Sequence, residues 1–397
     1  MSKIIDESNK KEDTNNSIST LNFENLGLNK DLLKGVYLYG FTEPSKIQMK
    51  GITTINTGVD CIIQSQSGTG KTATYLLGVF NRLNSDTKLC QGIIITPTRE
   101  LAIQVHEVAT HLTKFIDHNI VLCIGGTDIN QNRNDIKKAS VIIGTLGRIY
   151  HMIIESKFNI MKIKFIVLDE ADDLLYNGID QKLKMILEKA TSGIQNILIS
   201  ATITNSVFNL SRQYMHNPVK ILLRNNEIMV ELISQFYLDV NDENQKFDML
   251  LDLYSLVSTS QAIIFSNTIN KIVWLEENLK KNNFPITVLH SNMTSNDRHE
   301  TMKDFRDGKT RLLLTTDLLS RGIDIPMVNM VINYDLPFTK ENYVHRIGRC
   351  GRFSKRGIAV SFVKSSDPAD MKILNTLIKY YKINIKEMPD NIETYLN

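Results

Sequence analysis

The sequence predicts an α/β fold of two parallel-sheet domains joined by a short linker, and three features carry that expectation. From Cys61 onward, short runs of β-branched and aliphatic residues alternate with longer amphipathic stretches, the pattern of buried strands joined by helical crossovers. The alternation pauses once, through the polar LLRNNEIMVE that follows Asn217 and Pro218, and then resumes. A chain of 397 residues is long enough for two domains, and its 42% hydrophobic and 22% charged content excludes a disordered or fibrous protein.

Taken in order, residues 1–20 are rich in Asn, Ser, Lys and Glu and hold too little apolar surface to offset the entropy of ordering them, so they predict a flexible tail. The first domain is expected over 21–217. Its strands read CIIQS from Cys61, GIIIT from Gly92, IVLCI from Ile120, SVIIG from Ser140, KFIVLD from Lys164 and NILISAT from Asn196, each followed by a helix-like segment. The linker is expected over 218–230 and the second domain over 231–397. There the strands read QFYLDV from Gln235, QAIIFS from Gln261, ITVLH from Ile286, TRLLLTTD from Thr310, MVNMVINY from Met327 and GIAVSFV from Gly357. KFDMLLDLYSLV and NKIVWLEENLKK are helices between them; in the latter Ile272, Leu275 and Leu279 share a face. Two such domains leave a cleft, and since open parallel sheets bind ligands beyond the carboxyl ends of their strands, both can contribute to one site.

The apolar runs fall far short of the roughly 20 residues that span a bilayer, so no membrane partner is expected. The opening stretch mixes both charge signs and lacks the apolar core of a signal peptide. Cys61, Cys90, Cys123 and Cys350 show no CxxC spacing, which favours reduced, partly buried thiols in an intracellular protein over zinc ligands or disulfides. With 46 Lys and Arg against 43 Asp and Glu, a net charge of +3 requires any nucleic-acid surface to be a local patch.

The chemistry is carried by two strings. SQSGTGKT (Ser65, Gln66, Ser67, Gly68, Thr69, Gly70, Lys71, Thr72) follows a strand and opens a helix, the context of a phosphate-binding loop. Gly68 and Gly70 let backbone N–H groups turn inward at the positive end of the helix dipole. Lys71 can then reach the β and γ phosphates of ATP, and the Thr72 hydroxyl can hold Mg²⁺. Ser65 stands where the strict GxxxxGK[ST] pattern has its first glycine, and taken alone the string also suits a glycine-containing turn. The second string, VLDEADDLL, puts Asp169 and Glu170 at the end of an apolar strand about 100 residues further on, where P-loop enzymes hold Mg²⁺. Asp169 is the expected metal-side ligand, through water. Glu170 is the expected group that orients or deprotonates the attacking water. An acidic helix start would present the same residues, but the upstream loop argues against that reading.

Together with GFTEPSKIQ (40–48), PTRELA (97–102), GG (125–126), TLGR (145–148), DEAD (169–172), SAT (200–202), IFSNT (264–268), TTDLLSRGID (315–324) and HRIGRCGR (345–352), the sequence resembles the DEAD-box ATP-dependent RNA helicases of helicase superfamily 2. The resemblance runs from Phe23 to the C-terminus. QFYLDV, VINYDLP, ENYVHRIGR and EMPDNIE make it most similar to the translation-initiation factor four-A subfamily and its nuclear paralogue. It implies two RecA-like domains of the P-loop NTPase class. By the resemblance, Phe41 stacks on adenine with Phe23 behind it, and Gln48 reads the base, since an amide offers one donor and one acceptor. Ser200 and Thr202 would couple the nucleotide to closure through Asp172, while Gly322 and Asp324 of the second domain meet the nucleotide. Arg349 and Arg352 would be arginine fingers; a spacing of three puts them on one helical face, and such fingers are worth on the order of 10³ to 10⁵ in rate in other NTPases. A solvated basic helix is the competing reading of that run.

The resemblance also places RNA across Arg99, Gly126, Thr145 and Arg148 of the first domain and Arg298 and Thr316 of the second. These residue types suit backbone contacts, so binding is expected to be sequence-independent. The implied activity is that of an RNA-stimulated ATPase that separates short duplexes locally without tracking along them, acting in translation initiation with a scaffold or activator protein. An ATP-gated RNA clamp serving as an assembly platform is the alternative. The protein is expected to be a cytoplasmic monomer by itself, with the nucleus as the other candidate compartment. Departures from the family pattern are Ser65, Leu146 for the usual proline, Ser291 and Asn292 in HSNM, Ser295, and Cys350 between the expected fingers.

Overall fold

In the computed structural model, the described residues are 4–5, 22–65, 68–87, 89–156, 158–190, 193–222, 233–256, 261–317, 328–351, 356–389 and 392–395. The chain divides into two compact units, the first ending at Leu223 and the second beginning at Arg224.

In the first unit the strands are β1 (Ile4–Ile5), β2 (Cys61–Gln64), β3 (Gly92–Thr96), β4 (Ile120–Cys123), β5 (Val141–Thr145), β6 (Phe165–Leu168), β7 (Gln195–Ser200) and β8 (Val219–Ile221). Among the described residues they form one sheet, in the order β1-β8-β2-β7-β6-β3-β5-β4, with every pairing parallel. Such a sheet is covered on both faces, and its strands show it: Ile63, Ile94, Ile143 and Val167 enter one core cluster, while their neighbours Ile62, Ile93, Ile142 and Ile166 enter the other. Truncating any of these enclosed isoleucines to alanine would cost about 2–5 kcal/mol.

The second unit begins its sheet with β9 (Ile233–Asp239), followed by β10 (Gln261–Phe265), β11 (Ile286–Leu289), β12 (Leu312–Thr315), β13 (Val328–Asn333), β14 (Gly357–Val363) and β15 (Lys386–Glu387). Their order is β11-β12-β10-β13-β14-β9-β15, again all parallel. Helix Ile269–Lys281 lays Ile272, Leu275 and Leu279 on this sheet, as its periodicity predicts.

The two expected segment boundaries differ in detail from the structure. Within the expected tail, Ile4–Ile5 pair with β8; the rest of residues 1–20 lies outside the described residues. Within the expected linker, Val219–Ile221 form β8 beside β2, because hydrogen bonds offered by an open edge can be taken by a segment with no apolar run of its own. The four cysteines are free and buried, and burial pushes the Cys90 thiol up to about 12 and the Cys123 thiol up to about 11. Among the described residues no helix is long and apolar enough to cross a membrane.

Candidate functional site

The first sheet orders the chemistry. Because β7 lies between β2 and β6, the turn after β7 sits between the loop leaving β2 and the acidic segment leaving β6. Three sequence-distant strings thereby meet at the carboxyl ends of adjacent strands. Ser65 N donates to Ser200 O (3.1 Å), which holds the loop to the turn after β7, and Asp169 N donates to Ile95 O of β3 (3.0 Å).

In the loop after β2, Gly68 and Gly70 have left-handed backbones. At Gly70 (φ 89°) the need is double, since a Cβ would also lie 2.6 Å from Gln48 Nε2. Helix Lys71–Phe80 starts there. Lys71 Nζ donates to Ser65 O at 2.9 Å and lies 3.9 Å from Glu170 Oε1, while the Ser65 and Thr69 hydroxyls meet at 2.5 Å. The departure at Ser65 thus adds a hydroxyl clasp without removing a charge. Gln66 and Ser67 lie outside the described residues.

Asp169 and Glu170 are both buried. Tyr75 Oη donates to Asp169 Oδ2 at 2.7 Å, and Glu170 N donates to Asp169 Oδ1 at 2.9 Å. Burial, reinforced by the neighbouring Glu170, pushes the Asp169 carboxyl well above the usual carboxylate range, against the pull of Tyr75 and Lys71. Glu170 has φ 46° and ψ 55°, a left-handed backbone that costs a non-glycine residue on the order of 1–3 kcal/mol. Its Oε2 is buried without a hydrogen-bond partner among the described residues. A buried carboxylate oxygen with spare acceptor capacity, next to an aspartate that burial disfavours as an anion, fits a divalent cation. Asp172 Oδ2 accepts from Thr202 Oγ1 at 2.6 Å, and Ser200 Oγ donates to the Thr202 carbonyl at 2.7 Å. Thr202 thereby bonds the SAT string to the acidic string.

Gln48 lies in helix Lys46–Asn56, where it completes a capping box: Ser45 N donates to Gln48 Oε1 (2.8 Å), and Gln48 N donates to Ser45 Oγ (3.3 Å). Ser45 Oγ also donates to the Thr69 carbonyl at 3.0 Å, tying this helix to the phosphate loop. The Phe23 and Phe41 rings lie 6.1 Å apart, Phe23 wholly buried and Phe41 only partly, with Tyr39 5.0 Å from Phe41.

The other half of the sheet gathers the RNA candidates. Arg99 begins helix Arg99–Leu112 after β3, Gly126 turns after β4, and Thr145 ends β5 as the cap of helix Leu146–Tyr150. A Cβ on Gly126 (φ 80°) would lie 2.6 Å from the Arg99 guanidinium, so only glycine lets that side chain settle there. Arg148 donates to Asn132 Oδ1 at 2.6 Å, Thr127 Oγ1 at 3.2 Å and the Thr127 carbonyl at 2.9 Å. Leu146 stands at the first helical position, where proline is merely pre-organised, and the helix begins without it.

In the second unit, Thr316 follows β12 and Arg298 lies in helix Ser295–Arg306, nine-tenths buried. Gly322, Asp324 and Arg352 lie outside the described residues. The expectation of two arginines on one helical face fails: helix Lys340–Ile347 stops at Gly348, so Arg349 sits in the following turn, with Nε donating to the His345 carbonyl at 3.1 Å. Gly348 caps the helix with φ −64°, and the chain turns left-handed three residues later at Gly351 (φ 67°). Cys350 packs beneath this turn, its Sγ 3.2 Å from Ile347 O.

Sequence reasoning missed two side chains. Tyr75 reads as one more core position of an amphipathic helix, and only the strand order brings its hydroxyl to Asp169. Arg346 is enclosed completely and spans the carboxyl ends of three adjacent strands: Nε to Asp317 Oδ1 after β12 (2.5 Å), Nη2 to Asn267 Oδ1 after β10 (2.7 Å) and Nη1 to Asp335 O after β13 (2.8 Å). Asp335 completes the network. Burial raises its carboxyl, but Ser266 Oγ at 2.6 Å, Asn267 N at 3.1 Å and Lys246 outweigh burial and hold it below the usual range. A depressed folded pKa stabilises the fold above the unfolded value of about 3.9 and is lost as pH falls through the lower folded value. Trp274, the chain's one tryptophan, sits in this unit against Phe247. Urea unfolding followed by its fluorescence is expected to show stability falling below about pH 4, with a shallower fall in Asp335→Asn; parallel profiles would remove Asp335 from this role.

A family model described as DEAD/DEAH box helicase matches residues 45–210, and one described as helicase conserved C-terminal domain matches residues 245–354. The chain is 41% identical over 375 residues to the Saccharomyces cerevisiae protein named ATP-dependent RNA helicase eIF4A, covering 94% of each. It is 40% identical over 371 residues to Caenorhabditis elegans eukaryotic initiation factor 4A, covering 93% of this chain and 92% of that one. The solved structure of S. cerevisiae Dbp5 bound to RNA and ADP BeF3 matches it with a TM-score of 0.86 at 34% identity, covering 95% of this chain and 100% of that one.

Proposed function

The chain belongs to the DEAD/DEAH box helicase family, and from that premise we propose that it is an ATP-dependent RNA helicase acting in translation initiation. The observation that carries the catalytic part is the buried cluster of Lys71, Asp169 and Glu170 at the carboxyl ends of β2 and β6. Its likeness to proteins named eIF4A and eukaryotic initiation factor 4A supports the process.

In this reading the N–H groups of residues 65–72 cradle the ATP phosphates and Lys71 exchanges its bond to Ser65 O for the β and γ oxygens. Thr72 and Asp169 would hold Mg²⁺, which when bound neutralises phosphate charge. Glu170 uses its spare carboxylate oxygen to orient the attacking water and accept its proton. Phe41, backed by Phe23, stacks on the adenine, and Gln48 reads the base edge with the amide group left over from its capping role. Asp172 and Thr202 pass the state of the nucleotide to the rest of the domain. Gly322, Asp324, Arg349 and Arg352 are the second domain's contribution to hydrolysis, and Arg298 and Thr316 its contribution to RNA.

RNA lies, in this reading, along Arg99, Gly126, Thr145 and Arg148 at the ends of β3, β4 and β5. No base edge need be read by such residues, so binding is sequence-independent. ATP and RNA favour the same closed state and therefore each other's binding. Scaffold or activator proteins of the initiation-factor type, a cytoplasmic location and a monomeric state complete the proposal. The test is strand separation: a short RNA duplex with a single-stranded overhang should separate with ATP and Mg²⁺, release the strand after each turnover and show no dependence on sequence. Stable retention of RNA with slow turnover would favour a clamp instead.

A further inference from the structure

At the opposite, amino-terminal end of the first sheet lies a cavity of about 550 Å³. It is built by the segments that lead into β3, β5 and β6, whereas the acidic string leaves the other end of β6 and the RNA candidates Arg99, Thr145 and Arg148 lie at the other ends of β3 and β5. Its floor is apolar, with Cys90 and Ile136 buried and Phe158 half-buried. Its lip carries two aliphatic side chains turned toward water, Leu89 at 55% and Met161 at 64% exposure. Large apolar side chains left this exposed beside a preformed cavity are a mark of recognition. Around them stand Arg133, Lys137 and Lys162, and among the described residues none that lines the cavity is acidic. Arg133 is held in place by its Nε bond to Ser156 Oγ at 3.1 Å.

We propose that this cavity docks an acidic peptide segment of a partner protein, which inserts one bulky apolar side chain between Leu89 and Met161 and sets carboxylates against Arg133, Lys137 and Lys162. Charge complementarity selects the acidic partner, and the apolar floor gives it an anchor that simple charge attraction lacks. RNA would share the cations, but the exposed walls are Leu and Met, which bury an aliphatic or aromatic side chain, and Phe158 lies half-buried in the floor instead of standing out for a base to stack on. Because the site opens at the far end of the strands from Lys71 and Asp169, a docked partner leaves nucleotide chemistry unobstructed.

The test uses the full chain and a fluorescein-labelled peptide with one phenylalanine flanked by glutamates, read by anisotropy. Two controls replace the phenylalanine by serine or all glutamates by lysine. The acidic, phenylalanine-bearing peptide is expected to bind, at least tenfold more tightly than either control. Lys137→Glu with Lys162→Glu should weaken it at least tenfold, as should Met161→Ser; these exposed changes should leave ATP hydrolysis unaltered. A single-stranded RNA decamer should not compete. Equal binding of all three peptides, no effect of the substitutions, or displacement of the peptide by RNA would overturn the proposal, the last in favour of a nucleic-acid site.

Discussion

Glu170→Gln should leave ATP affinity near its original value and lower hydrolysis by on the order of 10² to 10⁴, the range that a positioned general base contributes. Gln keeps the size and one oxygen of the side chain, so packing at this buried position is retained. What it loses is the basic carboxylate oxygen that has no partner among the described residues. Lys71 lies 3.9 Å from Oε1 and keeps its shorter bond to Ser65 O, so the loop need not rearrange. Equilibrium binding of a fluorescent ATP analogue and steady-state phosphate release separate the two effects. Turnover within a few-fold of the original would remove Glu170 from the chemical step, whereas loss of binding would make it a loop-positioning residue instead.

The expected effect on stability in the second unit centres on Arg346. Arg346→Lys should lower the stability read by Trp274 fluorescence in urea by about 3 kcal/mol, the lower end of the cost of disrupting a buried charge network, here with Arg346 enclosed and Asp317 partly exposed. Lysine keeps the charge, but a single ammonium cannot reach Asp317, Asn267 and the Asp335 carbonyl at once, as the planar fork does. The control is Lys280→Ala, which removes an exposed pair with Glu276 and should change stability by less than about 1 kcal/mol. Equal effects of the two substitutions would show that Arg346 does not hold the three strand ends together.

Much of the fold is legible because parallel strands covered on both faces must be continuous apolar runs, and twelve such runs stand out in the sequence. The shortest strands do not: Ile4–Ile5, Val219–Ile221 and Lys386–Glu387 have two or three residues each, and what makes them strands is the neighbour they join. The site shows the same division. SQSGTGKT and DEAD are legible because their chemistry needs adjacent residues, and the structure brings Lys71 to Glu170 and Thr202 to Asp172. Tyr75 and Arg346 act through contacts that only the strand order creates. HRIGRCGR presents its arginines alike, and nothing in the string says that Arg346 is the tie across three strand ends or that the helix ends before Arg349.

In the proposed function, nucleotide chemistry at β2, β7 and β6 is coupled to RNA held along β3, β5 and β4. Steady-state ATP hydrolysis by the purified chain, alone, with single-stranded RNA and with DNA of the same sequence, tests it most directly. Stimulation by RNA and not by DNA is the predicted result. Hydrolysis at one unchanged rate in all three conditions would contradict it.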